Sequence, residues 1–132
     1  MTTVLAHGCF DLLHYGHLRH LQAARALGDR LVVSVTTARY VNKGAGRPVF
    51  NDDQRREMLM ALKCVDDVVL SLEATPEAII RYLKPDIYVK GAEYRGKLPE
   101  QELVEALGGR VVFTDEPVYS STTLIGKQCK CA

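Results

Sequence analysis

Apolar residues follow two alternating patterns along the chain. Short, almost wholly apolar runs predict β-strands that are covered on both faces. Between them, apolar residues three or four positions apart predict amphipathic helices. The predicted strands cover residues 3–6 (ending at Gly8), 31–35, 68–70, 87–89 and 111–113. The predicted helices cover residues 16–27, 51–62, 75–83 and 99–107, followed by a short last helix from Ser120 or Ser121.

Turn and cap residues mark the ends of these helices. Gly28 is predicted to follow the end of the first helix as a C′ residue. Asn51 is predicted to cap the second helix. Thr75 is predicted to cap the third, with Pro76 in its first position. The glycines at positions 108–109 are predicted to close the helix that precedes the fifth strand.

The order of these elements determines the predicted fold class. Strands that alternate with helices are typical of an α/β domain. We expect residues 1–132 to form a single Rossmann-like domain, with a five-stranded parallel sheet and helices on both faces. Ligands in such sheets bind beyond the carboxyl ends of the strands, near the point where the strand order reverses. The loops that leave the strands are therefore the candidate site.

Composition and charge narrow the classes of partner. The 132 residues are 47% hydrophobic and 25% charged, which is ordinary for one globular domain. Seventeen basic residues nearly cancel 16 acidic ones, so neither a nucleic-acid nor a membrane partner is indicated. The chain lacks a secretion-signal pattern and any apolar run near the roughly 20 residues that cross a bilayer, so we expect a cytoplasmic protein. Its cysteines lack the spacing of a disulfide framework, and we expect a reduced tail at Cys129 and Cys131.

Histidines are concentrated near the N-terminus. All four occur within fourteen residues, at His7, His14, His17 and His20. His14 and His17 flank Gly16 where a helix is predicted to begin, and free N–H groups and the helix dipole favour an anion there. This arrangement suits a phosphate better than a metal, for which Asp11 is the only nearby third ligand. Polar surface residues are the alternative for the pair. His7 and His20 are expected to be structural or peripheral.

A resemblance to a known family begins at these residues. Residues 8–17, GCFDLLHYGH, closely resemble the first signature of the cytidylyltransferase-like nucleotidyltransferase superfamily, whose core is H-x-G-H. Residues 120–123, SSTT, resemble its second signature, S-S/T-T at a helix start. The segments GRPVF at 46–50, QRR at 54–56 and VKGAEY at 89–94 also match. The resemblance extends from Val4 to about Ile125.

The resemblance implies a reaction and a set of site residues. Members join an acceptor's phosphate oxygen to the α-phosphorus of ATP or CTP and expel pyrophosphate, with Mg²⁺ held mainly by the substrate phosphates and with no metal ligands from the protein. The implied catalytic residues are His14, His17, Lys43 and Arg55. The implied nucleotide-binding residues are Gly8, Cys9, Phe10, Asp11, Gly16, Lys90, Gly91, Glu93, Ser121, Thr122 and Thr123. The implied partners are the nucleotide and a phosphorylated small molecule, and a homodimer is possible.

Several of these residues have alternative interpretations. Lys43 would close over the phosphates, or it is a solvated loop lysine. Arg55 would neutralise charge or bind the acceptor phosphate, or it is a surface arginine paired with Asp52. Gly91 would let the nucleobase approach the backbone, and Glu93 would accept a hydrogen bond from the ribose or an amino group, unless both are ordinary loop residues. Asp11 and Cys9 are expected to orient or pack the loop.

The chain resembles two branches of the family, and the two branches imply different substrates. LGDRLVV at 27–33 and VKGAEY at 89–94 are similar to adenylyltransferases that act on a heptose 1-phosphate. Cytidylyltransferases for glycerol phosphate or ethanolamine phosphate share HYGH, but they carry an arginine before S-T-T that EPVY at 116–119 lacks. We therefore favour ATP and a sugar 1-phosphate, with CTP as the alternative. A non-catalytic nucleotide-binding module is an alternative of another class, whereas a redox domain lacks the expected G-x-G-x-x-G.

Overall fold

A computed structural model describes residues 1–41 and 46–114 of the chain. The strands are β1 (Thr3–Gly8), β2 (Arg30–Thr36), β3 (Asp67–Ser71), β4 (Ile87–Gly91) and β5 (Arg110–Thr114). The α-helices are α1 (Tyr15–Arg25), α2 (Asp52–Met60), α3 (Glu77–Leu83) and α4 (Gln101–Ala106), with 3₁₀ turns at Ala38–Tyr40 and Ala92–Tyr94. The last predicted helix, from Ser120 or Ser121, lies outside the described residues.

The strands form one parallel sheet in the order β3-β2-β1-β4-β5. This confirms the predicted five-stranded parallel sheet. The chain runs from β1 outward to β2 and β3, and then returns to place β4 on the other side of β1. The strand order therefore reverses between β1 and β4, and the predicted ligand site lies beyond the carboxyl ends of these two strands.

Alternating side chains of the strands build a core on each face of the sheet. Val4 and Ala6 of β1 belong to an apolar cluster that includes buried residues of α1 and α2. Leu5, between them, packs in a second cluster with Ile80 of α3 and Val104 of α4. The helices thus cover both faces, as predicted, and every strand of the sheet contributes to one cluster or both. Within the described residues, no helix combines the length and apolar character needed to cross a membrane.

The observed helix ends agree in part with the caps predicted from the sequence. The side chain of Asn51 accepts a hydrogen bond from Gln54 N at 2.8 Å, and the Gln54 side chain accepts one from Asn51 N at 3.0 Å. The predicted cap is therefore confirmed, as a capping box. Gly108 has a φ of 90°, and it closes the chain after α4, also as predicted. The cap predicted at Thr75 is wrong, because α3 begins at Glu77 with no side-chain cap bond.

Gly28 has a different role from the predicted C′ residue. Helix α1 ends at Arg25 with a right-handed C-cap, and Gly28 is not among the residues of positive φ. A Cβ atom at Gly28 would lie 2.8 Å from the carbonyl oxygen of Thr2. The glycine is therefore required by close packing against the start of β1.

Candidate active site

The loop between β1 and α1 leaves the sheet at the reversal of strand order. Phe10 in this loop has a φ of 48°, and its side chain is buried. This φ lies in the left-handed region, which is uncommon for a bulky residue. The ring lies over Gly8, where a Cβ atom would be 2.9 Å from a ring carbon. The edge of the same ring packs against His17, with the centroids 5.4 Å apart. The space predicted to admit a ligand beside Gly8 is therefore occupied by Phe10, which directs the loop toward the histidines.

His14 and His17 form a stacked pair at the start of α1. His14 is the N-cap, and its Nδ1 accepts a hydrogen bond from Gly16 N at 3.1 Å. The Nδ1 of His17 accepts one from His14 N at 3.3 Å. The ring centroids are 3.8 Å apart, with an interplanar angle of 23°. Because each Nδ1 is an acceptor, each neutral ring carries its hydrogen on Nε2, and the pair provides two Nε2–H donors.

The environment of His14 favours an uncharged donor in the absence of a ligand. Burial lowers the pKa of His14 below the usual 6.5, so this ring is neutral at pH 7. The positive end of the helix dipole acts in the same direction, because it disfavours a cation at a helix N-terminus. The same dipole favours an anion at the start of α1. The arrangement can therefore bind phosphate oxygens through neutral donors.

Asp11 is directed inward, away from any ligand position. Its carboxylate is fully buried and accepts hydrogen bonds from Val49 N at 2.8 Å, Phe50 N at 3.0 Å and Arg47 Nε at 2.6 Å. Burial alone would raise the pKa of Asp11, but these hydrogen bonds from Phe50, Val49 and Arg47 hold it below its ordinary value. The predicted nucleotide contact does not fit this geometry. Asp11 instead ties the β1–α1 loop to residues 47–50.

Arg55 is likewise enclosed by the chain. It has no exposed surface, and its guanidinium donates to the carbonyl oxygens of Phe50 at 3.1 Å, Cys9 at 2.9 Å and Thr36 at 2.6 Å. It also pairs with Asp52 at 2.6 Å. The predicted direct role on a phosphate does not fit this geometry, and the alternative of a surface arginine is wrong although its Asp52 partner is right. Arg55 joins α2 to the carboxyl ends of β1 and β2.

The end of β4 carries a second polar group, near the carboxyl end of β1. The Nζ of Lys90 donates to His7 O at 3.2 Å and lies 4.4 Å from the centroid of the Tyr94 ring. The carboxylate of Glu93 lies over Gly91, where an added Cβ atom would collide with it. The space predicted for a nucleobase beside Gly91 is thus filled by Glu93.

The other two histidines connect secondary-structure elements, as expected of structural residues. His7 Nδ1 lies 2.7 Å from Ser34 Oγ across β1 and β2, and His20 Nδ1 lies 3.0 Å from Thr114 Oγ1, between α1 and β5. Burial, and secondarily the charge of Lys90, lower the pKa of His7 to about 4, so it is neutral. One signal of this role is visible in the sequence, since Ser34 is a polar residue inside an otherwise apolar strand.

Comparison with known proteins assigns this arrangement to a family. Residues 5–127 match the family model described as cytidylyltransferase-like. The chain belongs to the cytidylyltransferase-like family. It is 51% identical over 135 residues to the bifunctional protein HldE of Streptomyces coelicolor, covering 99% of this chain and 29% of that protein. It is 44% identical over 127 residues to the bifunctional protein HldE of Syntrophotalea carbinolica, covering 94% and 26%. The chain thus spans about a quarter of the length of these relatives.

Solved structures of the same fold agree with this assignment. The lipopolysaccharide core biosynthesis protein from Thermoplasma volcanium has a TM-score of 0.73 and 32% identity, covering 91% of this chain and 99% of that one. The TmcAL protein of Thermotoga maritima, solved with α-thio ATP, has a TM-score of 0.67 at 14% identity, which shows the shared fold alone; the match covers 98% of this chain and 50% of that one. The predicted family and its Rossmann-like fold are confirmed.

Four of the site residues predicted by resemblance to the cytidylyltransferase-like family lie outside the described residues. They are Lys43, Ser121, Thr122 and Thr123. The cysteine tail at Cys129 and Cys131 also lies there. These positions stay predictions from the sequence.

The described residues also allow a test of metal binding. Among them, no three His, Cys, Asp or Glu side chains are grouped so that they could hold a metal ion. The carboxylate of Asp11 is engaged by Arg47 and by two backbone N–H groups, so it does not fit the role of third ligand beside His14 and His17. The described donor set therefore suits phosphate oxygens better than a metal held by protein ligands.

Proposed function

We propose that the chain transfers an adenylyl group from ATP to a heptose 1-phosphate and releases pyrophosphate. The observation that carries this proposal is the stacked pair of His14 and His17, which directs two Nε2–H donors from the start of α1 at the reversal of strand order. The similarity to the HldE proteins over almost the whole chain supports the choice of substrates.

The reaction needs no nucleophile from the protein. An anionic oxygen of the acceptor phosphate attacks the α-phosphorus of ATP and forms the new P–O bond. The bond from the α-phosphorus to the oxygen that bridges to the β-phosphorus breaks, and its electron pair leaves with pyrophosphate. The task of the protein is therefore to hold two anions in line and to stabilise charge as it moves onto the leaving group.

In this mechanism the histidine pair contacts the triphosphate. The Nε2–H groups of His14 and His17 donate to phosphate oxygens, and one of these bonds strengthens as charge develops near the α-phosphate. The positive end of the α1 dipole adds to the attraction for these oxygens. Lys43 and the hydroxyls of Ser121 and Thr122 are proposed from the sequence to add further donors.

The enclosed residues act on the same step indirectly. Arg55 holds the carbonyl oxygen of Cys9, and Asp11 fixes the loop that ends at His14. They keep the backbone of the loop in place so that the imidazoles need not reorganise during the reaction. We assign them to positioning and not to contact with substrate.

Mg²⁺ is proposed to bind with the nucleotide. It would neutralise part of the charge on the phosphates, and it would need few protein ligands because Mg²⁺ sheds its waters reluctantly. The Asp11 carboxylate is engaged by Arg47, so it would not serve as a protein ligand to the ion.

The choice of ATP and a heptose 1-phosphate can be tested directly. Pyrophosphate release is measured with Mg²⁺, ATP or CTP, and one of four acceptors: heptose 1-phosphate, another sugar 1-phosphate, glycerol 3-phosphate or ethanolamine phosphate. We expect release with ATP and heptose 1-phosphate, and a product mass equal to their adenylyl conjugate. Release with CTP and an alcohol phosphate would replace this proposal with the cytidylyltransferase alternative. Binding of nucleotide without release from any pair would favour a non-catalytic module.

A variant lacking both imidazoles is the control for this assay. The double variant His14→Ala/His17→Ala should release far less pyrophosphate at the same concentration of folded protein. Equal release would point to a contaminating enzyme or to a mechanism without the pair.

Partners and location stay predictions from the sequence. We propose a cytoplasmic protein without a nucleic-acid or membrane partner, and a homodimer is possible by resemblance to the family. Light scattering on the purified chain would determine its oligomeric state.

A further inference from the structure

Strands β1 and β4 separate before they end. Their pairing stops at Ala6 and Val89, whereas β1 continues beside β2 as far as Gly8, and β4 continues beside β5 as far as Gly91. A gap therefore opens in the sheet between the last residues of β1 and β4. It lies at the reversal of strand order, where parallel sheets bind ligands.

Lys90 spans this gap. Its Nζ donates to the carbonyl oxygen of His7, which β4 no longer pairs through its backbone. The ring of Tyr94 lies 4.4 Å from the same Nζ, in a cation–π contact. The ammonium is thus held in this gap by a carbonyl dipole and an aromatic ring.

No described carboxylate neutralises this ammonium by contact. Among the described residues, no Asp or Glu oxygen forms an ion pair with Lys90, and the Glu100 carboxylate accepts its hydrogen bond from Tyr88 at 2.8 Å. Burial lowers the pKa of Lys90, and Glu100 and Glu93 oppose this shift only in part. The neighbouring His7 is neutral, so it adds no positive charge beside Lys90.

A partly buried cation without a carboxylate partner destabilises the folded protein, because it has lost part of its water and gained no equivalent interaction. Such an arrangement is common at functional sites, where a ligand supplies the missing charge. Both proposed substrates carry phosphate groups, which are well matched to an ammonium.

Lys90 and the histidine pair lie on different sides of the sheet. Tyr88 of β4 packs in the core cluster with Ile80 of α3 and Val104 of α4. Lys90, two residues further along the strand, points to the same face. Helix α1, which carries His14 and His17, packs on the opposite face. Two groups of donors therefore flank the end of β1 from opposite faces.

This division matches a reaction in which two phosphate groups meet at one phosphorus. We propose that Lys90 binds the phosphate of the acceptor in the gap between β1 and β4, while the histidine pair binds the triphosphate. This inference rests on the proposed function and assigns to it a second phosphate subsite.

The test measures binding of each substrate without turnover. Heptose 1-phosphate is titrated calorimetrically into the chain in the presence of Mg²⁺ and α,β-methylene-ATP, which cannot release pyrophosphate, and the ATP analogue is titrated separately. The proteins are wild type, Lys90→Met, Lys90→Arg, and Lys97→Met as a control. Lys97 is an exposed lysine in the loop that follows β4, so its loss removes the same charge outside the gap.

We expect Lys90→Met to weaken binding of heptose 1-phosphate by roughly tenfold or more, as for a lost charge-assisted hydrogen bond. Binding of the ATP analogue should change little, and Lys90→Arg should recover part of the acceptor affinity. The melting temperature of Lys90→Met should equal or exceed that of wild type, because a partly buried charge without a carboxylate partner has been removed. Lys97→Met should behave as wild type.

Two results would overturn the inference. One is unchanged acceptor binding in Lys90→Met, which would make the ammonium a purely structural bridge, above all if the melting temperature falls. The other is a loss confined to the ATP analogue, which would place Lys90 on the nucleotide. The proposed function fails by a different result, namely no pyrophosphate release by the wild type from any substrate pair.

Discussion

The histidine pair and Arg55 stand on neighbouring helices that both begin near the carboxyl edge of the sheet, yet their polar groups are used in opposite ways. In the pair, backbone N–H groups donate to the two Nδ1 atoms, so each neutral ring carries its hydrogen on Nε2. The guanidinium of Arg55 donates to three carbonyl oxygens and a carboxylate of its own chain. The histidine donors therefore depend on an enclosed network that keeps their loop in place.

Removal of Arg55 should give the largest effect, and it should appear as lost stability. Arg55→Met leaves the carbonyl oxygens of Cys9 and Thr36 without their buried donor. We expect the free energy of unfolding to fall by about 3–5 kcal/mol. Urea denaturation measures this change. Arg56→Met is the matched control on the same helix, because Arg56 is exposed. Its loss should change the free energy of unfolding by about 0.5 kcal/mol or less.

Unchanged stability in Arg55→Met would contradict the enclosed role assigned to Arg55. If Arg55→Met unfolds like wild type and still loses turnover, the guanidinium acts on substrate and not on the fold. The enclosed network would then not be what holds the loop.

Removal of His17 should act on the chemical step instead. We expect His17→Ala to lower kcat by about 10²–10³-fold, equivalent to about 2.7–4 kcal/mol of transition-state stabilisation, by analogy with a lost oxyanion donor. The affinity for ATP should change far less, because the bond strengthens only as charge develops. Steady-state kinetics and calorimetry measure the two effects. Gln22→Ala, on the exposed surface of the same helix, is the control.

His7 is a histidine in the enclosed part of the molecule, so its titration should change stability and not the chemical step. Its pKa is about 4 in the folded chain, against 6.5 ordinarily. Between these values the unfolded chain binds a proton that the folded chain does not, so stability rises with pH in this window and is lost as the pH falls through it. The loss reaches up to about 3 kcal/mol. Urea denaturation across this range should show a shallower pH dependence for His7→Asn, and an unchanged slope would contradict the assignment.

Substitution of Asn51 should give the smallest change in the free energy of unfolding. It caps the helix that carries Arg55, and Asn51→Ala removes one side of the capping box. We expect a loss of about 1 kcal/mol in the free energy of unfolding. The kcat per folded molecule should stay at the wild-type value. A large fall in kcat with little change in stability would show that the start of α2 contacts substrate.

The part of the structure that could be predicted from sequence depends on short-range patterns. Alternating apolar runs predicted all five strands, and the Asn51–Gln54 pair predicted its cap, because these features involve residues within one turn or one strand. The position of the histidine pair followed from the same local reasoning. Thr75 failed as a cap because α3 begins one residue beyond Pro76, a boundary that propensity alone does not determine.

The roles of Arg55 and Lys90 could not be predicted for a physical reason. Arg55 donates to backbone carbonyls at Cys9 and Thr36, and Lys90 donates to the carbonyl of His7, 83 positions away. Backbone carbonyls are present at every position, so the sequence contains no partner residue that would reveal such bonds. A charged side chain near a signature motif is therefore equally compatible with contact to a ligand and with long-range bracing of the backbone.

A single-turnover measurement with ATP, Mg²⁺ and heptose 1-phosphate tests the proposed role of the histidine pair most directly. Pyrophosphate release is compared between wild type and the His14→Ala/His17→Ala double variant, and ATP affinity is measured in parallel. We expect the wild type to release pyrophosphate and form the adenylyl sugar, and the double variant to be slower by about 10²-fold or more with ATP affinity largely kept. A double variant that reacts at the wild-type rate would contradict the proposed role of the histidine pair.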